Sequence, residues 1–114
     1  MKVERTMKRV YNKLVRDRIP EIITANNETP VTRILDDVDY KKSLEEKLYE
    51  EYEEVLSAEG SERCEELADM IEVIRALAKL ENKSLEEIVE IADEKREKRG
   101  GFEEKIFLEK VVEK

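Results

Sequence analysis

Residues 67–80 constrain the fold most, because their apolar side chains recur at helical spacing. At about 100° per residue, these side chains cover roughly two-thirds of a helix circumference. An apolar face this wide predicts a helix that packs against other elements. The positions that form the face are Leu67, Met70, Ile71, Val73, Ile74, Ala76, Leu77, Ala78 and Leu80.

The composition favours a mainly α fold. With 3 Gly and 2 Pro among 114 residues, the chain has few turn residues for a many-stranded structure. Only 39% of the residues are hydrophobic and 46% are charged, which predicts a small core. We therefore expect a single domain spanning residues 1–114, whose core is completed by a second copy in a homodimer.

The charge balance limits the classes of partner. A formal net charge of -8 argues against nucleic-acid binding and against an anionic membrane surface. An acidic protein that acts on an anion needs a bound metal or clustered Lys and Arg side chains. Cys64 is the only cysteine, which excludes an internal disulfide and a cysteine-based zinc site. No apolar run is long enough for a signal or membrane segment, so a cytoplasmic location is expected.

Capping residues predict where the first two helices begin and end. Asp17 is the predicted cap of a short helix that starts near Ile19. Either Asp39 or Ser43 begins the second helix, which runs to about residue 58 and is stopped by Gly60. Between these helices, the β-branched residues 31–35 predict a short strand.

The second half of the chain contains two further helices and a tail. Ser61 is predicted to cap the third helix, which reaches about Leu80. Ser84 and Glu87 form a capping box for the fourth helix, which ends at Arg99 before two glycines. The tail at residues 105–112 fits a strand or a helix, and we favour a strand that pairs near residue 34.

Several carboxylates interrupt the apolar helix faces. Glu66 and Asp69 fall inside the apolar arc of the third helix, where a carboxylate costs several kcal/mol unless it is paired or binds a metal. Glu51 stands where a leucine is expected in the second helix, and Glu54 lies one turn further on the same flank. The short connection makes the two helices antiparallel neighbours, so we expect the four carboxylates to face one another.

Two ways of stabilising four adjacent carboxylates remain open. Their mutual repulsion raises their pKa values unless positive charge is supplied. A hard divalent cation such as Mg²⁺ provides it, because Mg²⁺ prefers carboxylate oxygens. Alternatively, Lys and Arg side chains from other helices neutralise the carboxylates.

Cationic side chains cluster at the end of the fourth helix. Lys95 continues the buried stripe of that helix, and Lys98 and Arg99 follow it, next to Gly100 and Gly101. The cluster suits a phosphate group, since glycine lets backbone amides approach an anion. The alternative is that these cations interact with the helix dipole and extend into water. Further candidates for a phosphate contact are Lys13 and Arg16, and candidates for stacking on a base or packing in the core are Tyr49, Tyr52 and Phe102.

Three sequence blocks together resemble a known enzyme superfamily. Glu51 and Glu54, followed by Glu66 and Asp69, match the Glu-x-x-Glu…Glu-x-x-Asp signature of the all-α nucleoside triphosphate pyrophosphohydrolases. The block YNKLVRDRIPEII at residues 11–23 and the block KRGGF at residues 98–102 are similar to those of a MazG-like branch, often labelled phosphoribosyl-ATP pyrophosphohydrolase-like. Together the matches span residues 11–108.

The resemblance implies a four-helix core, a homodimer or dimer of dimers, and cleavage between the α- and β-phosphates that depends on Mg²⁺ or Mn²⁺. It implies that Glu51, Glu54, Glu66 and Asp69 are metal ligands. Glu51, Glu54 and Glu50 are the implied catalytic acids, with Glu50 orienting water. The implied substrate contacts are Lys95, Lys98, Arg99, Lys13, Arg16 and Asp17.

The expected activity is conversion of a nucleoside triphosphate and water to the monophosphate and pyrophosphate. Such an enzyme would serve as a house-cleaning hydrolase that removes non-standard nucleotides. One alternative is the same chemistry on phosphoribosyl-ATP in histidine biosynthesis. Another is a non-catalytic helical dimer that binds a nucleotide or a protein, in which the acids are structural.

Overall fold

The computed structural model describes residues 8–114, so the first seven residues of the predicted domain lie outside it. Four helices account for the regular structure of this part: α1 (Ile19–Ala25), α2 (Asp37–Ser57), α3 (Gly60–Leu80) and α4 (Leu85–Arg99). The prediction of a mainly α fold is confirmed. None of these helices is both long enough and apolar enough to cross a membrane.

The two predicted strands are wrong, since residues 8–114 contain no strand. Residues 31–35 form an irregular connection, in which Val31 and Ile34 are each 96% exposed. Residues 105–112 are also irregular. A β-branched segment becomes a strand only where a second strand accepts its hydrogen bonds, and neither segment has such a partner in the described chain.

Three of the predicted helix caps are also wrong. Asp36 caps α2, because its carboxylate accepts a hydrogen bond of 2.8 Å from the backbone N–H of Asp39. The predicted Asp39 is therefore the residue that is capped, and Ser43 lies inside the helix. Arg18, not Asp17, occupies the cap position of α1, and it makes no side-chain capping bond.

The connection between α2 and α3 differs from the expected one as well. Gly60 is the first residue of α3, with a φ of 59° that favours glycine, and Ser61 follows it inside the helix. The N-cap of α3 is Glu59, which makes no side-chain capping bond. Instead, Arg63 Nε donates to the carbonyl oxygens of Val55 at 3.1 Å and Ala58 at 2.9 Å. These bonds satisfy free carbonyls at the end of α2 and close the hairpin.

The capping box at the start of α4 is confirmed. Ser84 Oγ accepts from the Glu87 N–H at 3.1 Å, and the Glu87 carboxylate accepts from the Ser84 N–H at 3.1 Å. The helix ends before Gly100, whose φ is 80°.

The packing centres on the α2–α3 hairpin. α2 and α3 pack along each other, α4 contacts α3, and α4 does not contact α2. The buried apolar side chains of the described residues are Leu44, Val73 and Ala78. The four predicted helices are therefore present, but within the described chain α1 packs against none of the others and the helices do not close into a bundle.

Candidate metal centre

Three of the four predicted carboxylates converge between α2 and α3. One carboxylate oxygen from each of Glu51, Glu66 and Asp69 lies within 4.8 Å of the others. Glu51 comes from the middle of α2, and the other two come from the first half of α3. The antiparallel hairpin places these positions opposite one another. The fourth carboxylate, Glu54, is exposed and contacts Glu66 through a side-chain hydrogen bond.

Two oxygens in this cluster are buried without a hydrogen-bond partner. They are Oε2 of Glu51 and Oε2 of Glu66. Glu51 is only 5% exposed, so its charge lies in a place where a hydrophobic residue is usual. A buried carboxylate oxygen without a partner is costly, and a bound cation would satisfy it. The donor set consists of hard carboxylate oxygens, which suits Mg²⁺ or Mn²⁺.

The mutual proximity of the carboxylates shows in their pKa values. A hydrogen bond with Glu54, partial burial, and the charges of Glu54, Asp69 and Glu51 raise the pKa of Glu66 to about 7. Burial, followed by the charge of Glu54, also raises the pKa of Glu51. The raised pKa of Glu66 means that the metal-free cluster retains a proton near neutral pH, which a cation would displace.

Cations reach the edge of the cluster but do not cover it. Arg16 Nη2 lies 2.7 Å from Asp69 Oδ1, and Lys47 Nζ lies 3.7 Å from Glu51 Oε1. Within residues 8–114, no Lys or Arg forms an ion pair with Glu66. Neutralisation by Lys and Arg, the alternative to a metal, therefore accounts for Asp69 and in part for Glu51, but not for Glu66.

Glu50 has a different electrostatic environment from Glu51. Burial alone raises the pKa of Glu50, but the hydrogen bond from Lys13 and the charge of Lys47 outweigh it and bring this pKa below its usual value. Lys13 Nζ lies 3.3 Å from one Glu50 oxygen, and Lys47 Nζ lies 3.4 Å from the other. Glu50 therefore remains ionised at neutral pH beside the carboxylate cluster.

Lys47 is the residue that sequence reasoning missed. It is half-buried and contacts both Glu50 and Glu51. The signal was present in the sequence, because Lys47 precedes these acids by three and four residues, and side chains at that spacing are neighbours on a helix. In a chain with 22 basic and 30 acidic residues such pairs are common, which concealed this one.

The remaining predicted substrate contacts lie elsewhere. Lys95, Lys98 and Arg99 are exposed on the last turns of α4, and no described ion pair joins them to the carboxylate cluster. Asp17 is exposed in the turn before α1. Of the predicted cations, Arg16 therefore contacts Asp69 of the carboxylate cluster, and Lys13 contacts the neighbouring Glu50.

The carboxylate of Glu103 lies beside the loop that follows α4. The Glu103 carboxylate pairs with Arg96 at 2.6 Å. It also lies against Gly101, where an added Cβ would meet a Glu103 carboxylate oxygen. A glycine at this position thus permits the close approach of a carboxylate to the backbone.

Metal binding by the cluster is expected to strengthen as pH rises through about 7. Glu66 must lose its proton to bind a cation, and its pKa is raised to about 7. A raised pKa also means that the folded metal-free protein holds this proton more tightly than the unfolded chain. Its contribution to stability is present below pH 4.5 and is lost as pH rises through about 7.

This expectation can be measured by recording the melting temperature with EDTA and with Mn²⁺ from about pH 5 to about pH 8. The EDTA curve should fall towards high pH, and the increase caused by Mn²⁺ should grow. Glu66→Gln, which cannot titrate, is the control and should flatten both trends. An Mn²⁺ effect that is equal at all these pH values would contradict the assignment of Glu66.

Comparisons with known proteins leave the function open. No protein-family model matches the chain, and no solved structure matches it. An uncharacterized protein of Mycolicibacterium smegmatis is 52% identical over 46 residues. These residues are 40% of this chain and 47% of the relative, so the matched region spans about half of that protein. The similarity carries no named activity, and the functional argument depends on the site.

Proposed function

We propose that this protein is a divalent-metal-dependent nucleotide pyrophosphohydrolase, which cleaves a nucleoside triphosphate to the monophosphate and pyrophosphate. The observation that carries the proposal is the convergence of Glu51, Glu66 and Asp69, with an unpartnered buried oxygen on each of the two glutamates. The blocks at residues 11–23 and 98–102, which resemble the MazG-like branch, add support from outside this cluster.

The carboxylates that would hold the cation are Glu51, Glu66 and Asp69, with Glu54 next to Glu66. Bound there, Mg²⁺ or Mn²⁺ would neutralise phosphate charge and lower the pKa of a coordinated water molecule. The chain itself supplies the remaining chemistry. It contains no His, so either a carboxylate would accept the proton or a hydroxide on the metal would suffice.

Glu50 is the carboxylate best suited to accept that proton. Its pKa is lowered by Lys13 and Lys47, so it is ionised at neutral pH and does not depend on the metal for its charge. It neighbours Glu51 in sequence and lies on α2 beside the metal cluster. Lys13 and Lys47 each contact one of its two oxygens, which fixes the orientation of the carboxylate.

The substrate phosphates need cations as well as the metal. Arg16 lies at the cluster and can turn from Asp69 towards a phosphate, because its side chain is about half exposed. Lys13, which pairs with Glu50, is a proposed substrate contact from the resemblance. Lys95, Lys98, Arg99 and Asp17 remain proposed substrate contacts on the strength of the resemblance alone. The enzyme would act as a homodimer or a dimer of dimers on modified or damaged nucleotides, and we propose a cytoplasmic location.

The function is tested by incubating purified protein with a nucleotide panel and Mg²⁺, and separating the products by anion-exchange chromatography. The panel should include standard nucleotides, deaminated and oxidised nucleotides, and phosphoribosyl-ATP. Monophosphate and pyrophosphate in equal amounts are expected. Release of orthophosphate would contradict α–β cleavage, and preference for phosphoribosyl-ATP would support the alternative in histidine biosynthesis. No turnover together with no metal-dependent rise in melting temperature would favour a non-catalytic binding protein.

Arg16→Ala is expected to raise KM for the nucleotide by about tenfold with a smaller change in kcat, since a lost charge-assisted contact costs about 1.5 kcal/mol or more. The same change removes a cation from Asp69, so Mn²⁺ affinity should stay equal or increase. Steady-state kinetics and calorimetry with Mn²⁺ measure the two effects. Arg18→Ala, at a neighbouring arginine that pairs with Glu21, is the matched control. Weaker Mn²⁺ binding without a change in KM would show that Arg16 organises the metal site instead.

A further inference from the structure

The isolated chain exposes far more surface than a folded monomer of its size. Its accessible surface is 11361 Å² at 13.5 kDa, whereas a folded monomer of this mass exposes about 6500 Å². Its radius of gyration is 20.5 Å, compared with about 13 Å for a compact chain of this length. The excess surface is ample for an obligate dimer, which buries roughly 1000–2500 Å² on each copy.

Part of the excess lies in an apolar groove on the α2–α3 hairpin. The groove is lined by Leu48, Tyr49, Tyr52 and Met70, with Glu45 as the charged residue in the lining. Tyr49 and Tyr52 are 63% and 49% exposed, so they do not pack in the core of their own chain. Leu56, Leu67 and Ile71 on the same two helices are exposed as well. Exposed apolar side chains that line a groove are typical of an interaction site.

A second part of the excess lies in the C-terminal tail, defined here as residues 102–112. Its six large apolar side chains are 73–98% exposed. The hydrogen bonds of the tail within residues 8–114 are one inside it, from Lys105 N–H to the Phe102 carbonyl, and one from Arg96 to Glu103. The tail therefore extends from α4 without a covering surface. The apolar residues concerned are Phe102, Ile106, Phe107, Leu108, Val111 and Val112.

The tail is long enough to reach along the hairpin that carries the groove. Fully extended, 11 residues reach about 36 Å, and a helix of 21 residues such as α2 is about 31 Å long. The tail can thus run along the whole hairpin. Lys105 and Lys110 flank its apolar residues, and either can pair with Glu45 in the groove. Glycines 100 and 101 join the tail to α4 and let it change direction.

We propose that two copies of this chain exchange their C-terminal tails, so that the tail of each copy lies in the α2–α3 groove of the other. The exchange is isologous, because each copy provides one tail and one groove. Within the described chain the tail does not occupy its own groove, since its large apolar side chains are 73–98% exposed and none of them lines the groove. Exchange buries apolar residues on both partners and specifies how the expected homodimer is assembled.

Sedimentation velocity over a concentration series tests the assembly, without metal or nucleotide so that the result is independent of the proposed activity. The wild-type protein should have twice the mass of 13.5 kDa. Phe107→Asp in the tail and Tyr52→Asp in the groove should each raise the dimer dissociation constant by at least about tenfold, the usual effect of losing a central aromatic contact. Val31→Asp, at a fully exposed site outside tail and groove, should change nothing. A monomeric wild-type protein, or variants that dimerise as tightly as wild type, would overturn the proposal.

Photo-cross-linking locates the tail without the Phe107→Asp and Tyr52→Asp substitutions, so its result does not depend on whether those two variants fold. A benzophenone amino acid at position 107 is introduced into full-length protein of natural isotope content, which is unfolded and refolded together with an excess of ¹⁵N-labelled wild-type protein so that light and heavy copies pair. The expected product joins a light tail peptide to a heavy peptide from α2 or α3 that contains groove residues. Products that join only light peptides would place the tail in its own chain, and products outside the groove would place it elsewhere. Either result refutes tail exchange.

Discussion

Glu51→Gln and Asp69→Asn should each reduce kcat for nucleotide hydrolysis by at least about 100-fold, since changes to groups that only orient metal ligands already cost 10- to 100-fold. Both substitutions preserve side-chain shape and remove the charge that a cation requires. Glu51 Oε2 is buried without a partner, and an uncharged amide there supplies no negative charge to a cation. The measurement is the initial rate of pyrophosphate release at saturating nucleotide and Mg²⁺.

The control for these two variants is Glu53→Gln, which makes the same chemical change on the same helix. Glu53 is exposed and does not belong to the converging carboxylates, so the rate should remain that of wild type. Calorimetry with Mn²⁺ separates a lost metal site from a damaged fold. A protein that loses activity but binds Mn²⁺ normally would assign the changed residue to another role. Hydrolysis at the wild-type rate by both variants would contradict the assignment of the metal centre.

The carboxylates could be located from the sequence because position on a helix is a stronger signal than spacing. Glu66 and Asp69 interrupt an apolar arc, and Glu51 occupies a leucine position, which required no tertiary information. The structure places these three side chains together and leaves Glu54 at the exposed edge. Periodicity could not determine this difference, because it depends on the rotation of one helix against the other.

The sequence predicted the wrong helix cap where several residues suited the position and the backbone conformation decided between them. Asp36, Asp37 and Asp39 all suit a helix cap, but only Asp36 has the extended backbone, with a ψ of 173°, that directs its carboxylate to the first free amides. The capping box of α4 was predictable because Ser84 and Glu87 satisfy each other. The cap at Ser84 is thus identified by two mutually dependent residues, whereas each aspartate at the start of α2 offers only one signal.

The predicted strands failed for a reason that lies outside the single chain. The tail has the β-branched and aromatic residues of a strand, yet within the described chain no backbone pairs with it. The same limit applies to Lys95 and Arg99, which the chain leaves apart from the carboxylates. A sequence pattern indicates which residues need a contact partner, and that partner can belong to a second molecule.

The other large expected effect concerns stability, and it arises from the burial of Glu51. Glu51 is 5% exposed between Leu48 and Val55, and burial together with the charge of Glu54 raises its pKa. Its ion pair with Lys47, at 3.7 Å, engages one of its two oxygens. Replacing a buried charge by an apolar side chain of similar volume is often stabilising by about 1–4 kcal/mol. Lys47 keeps a partner after such a change, because Glu50 lies 3.4 Å from it.

Glu51→Leu should therefore raise the free energy of unfolding in EDTA by about 1–3 kcal/mol while abolishing hydrolysis. Urea denaturation at about pH 8, where the carboxylates repel one another most, measures the gain. Adding Mg²⁺ at about 100 times its dissociation constant should stabilise wild type by about 2.7 kcal/mol and leave the variant unchanged, so the difference between them closes. Glu53→Leu, the same change at an exposed position of α2, should stay within about 0.5 kcal/mol of wild type. A variant less stable than wild type in EDTA would mean that Glu51 serves the fold through Lys47, because an acid retained only for metal binding must weaken the protein until the metal is bound.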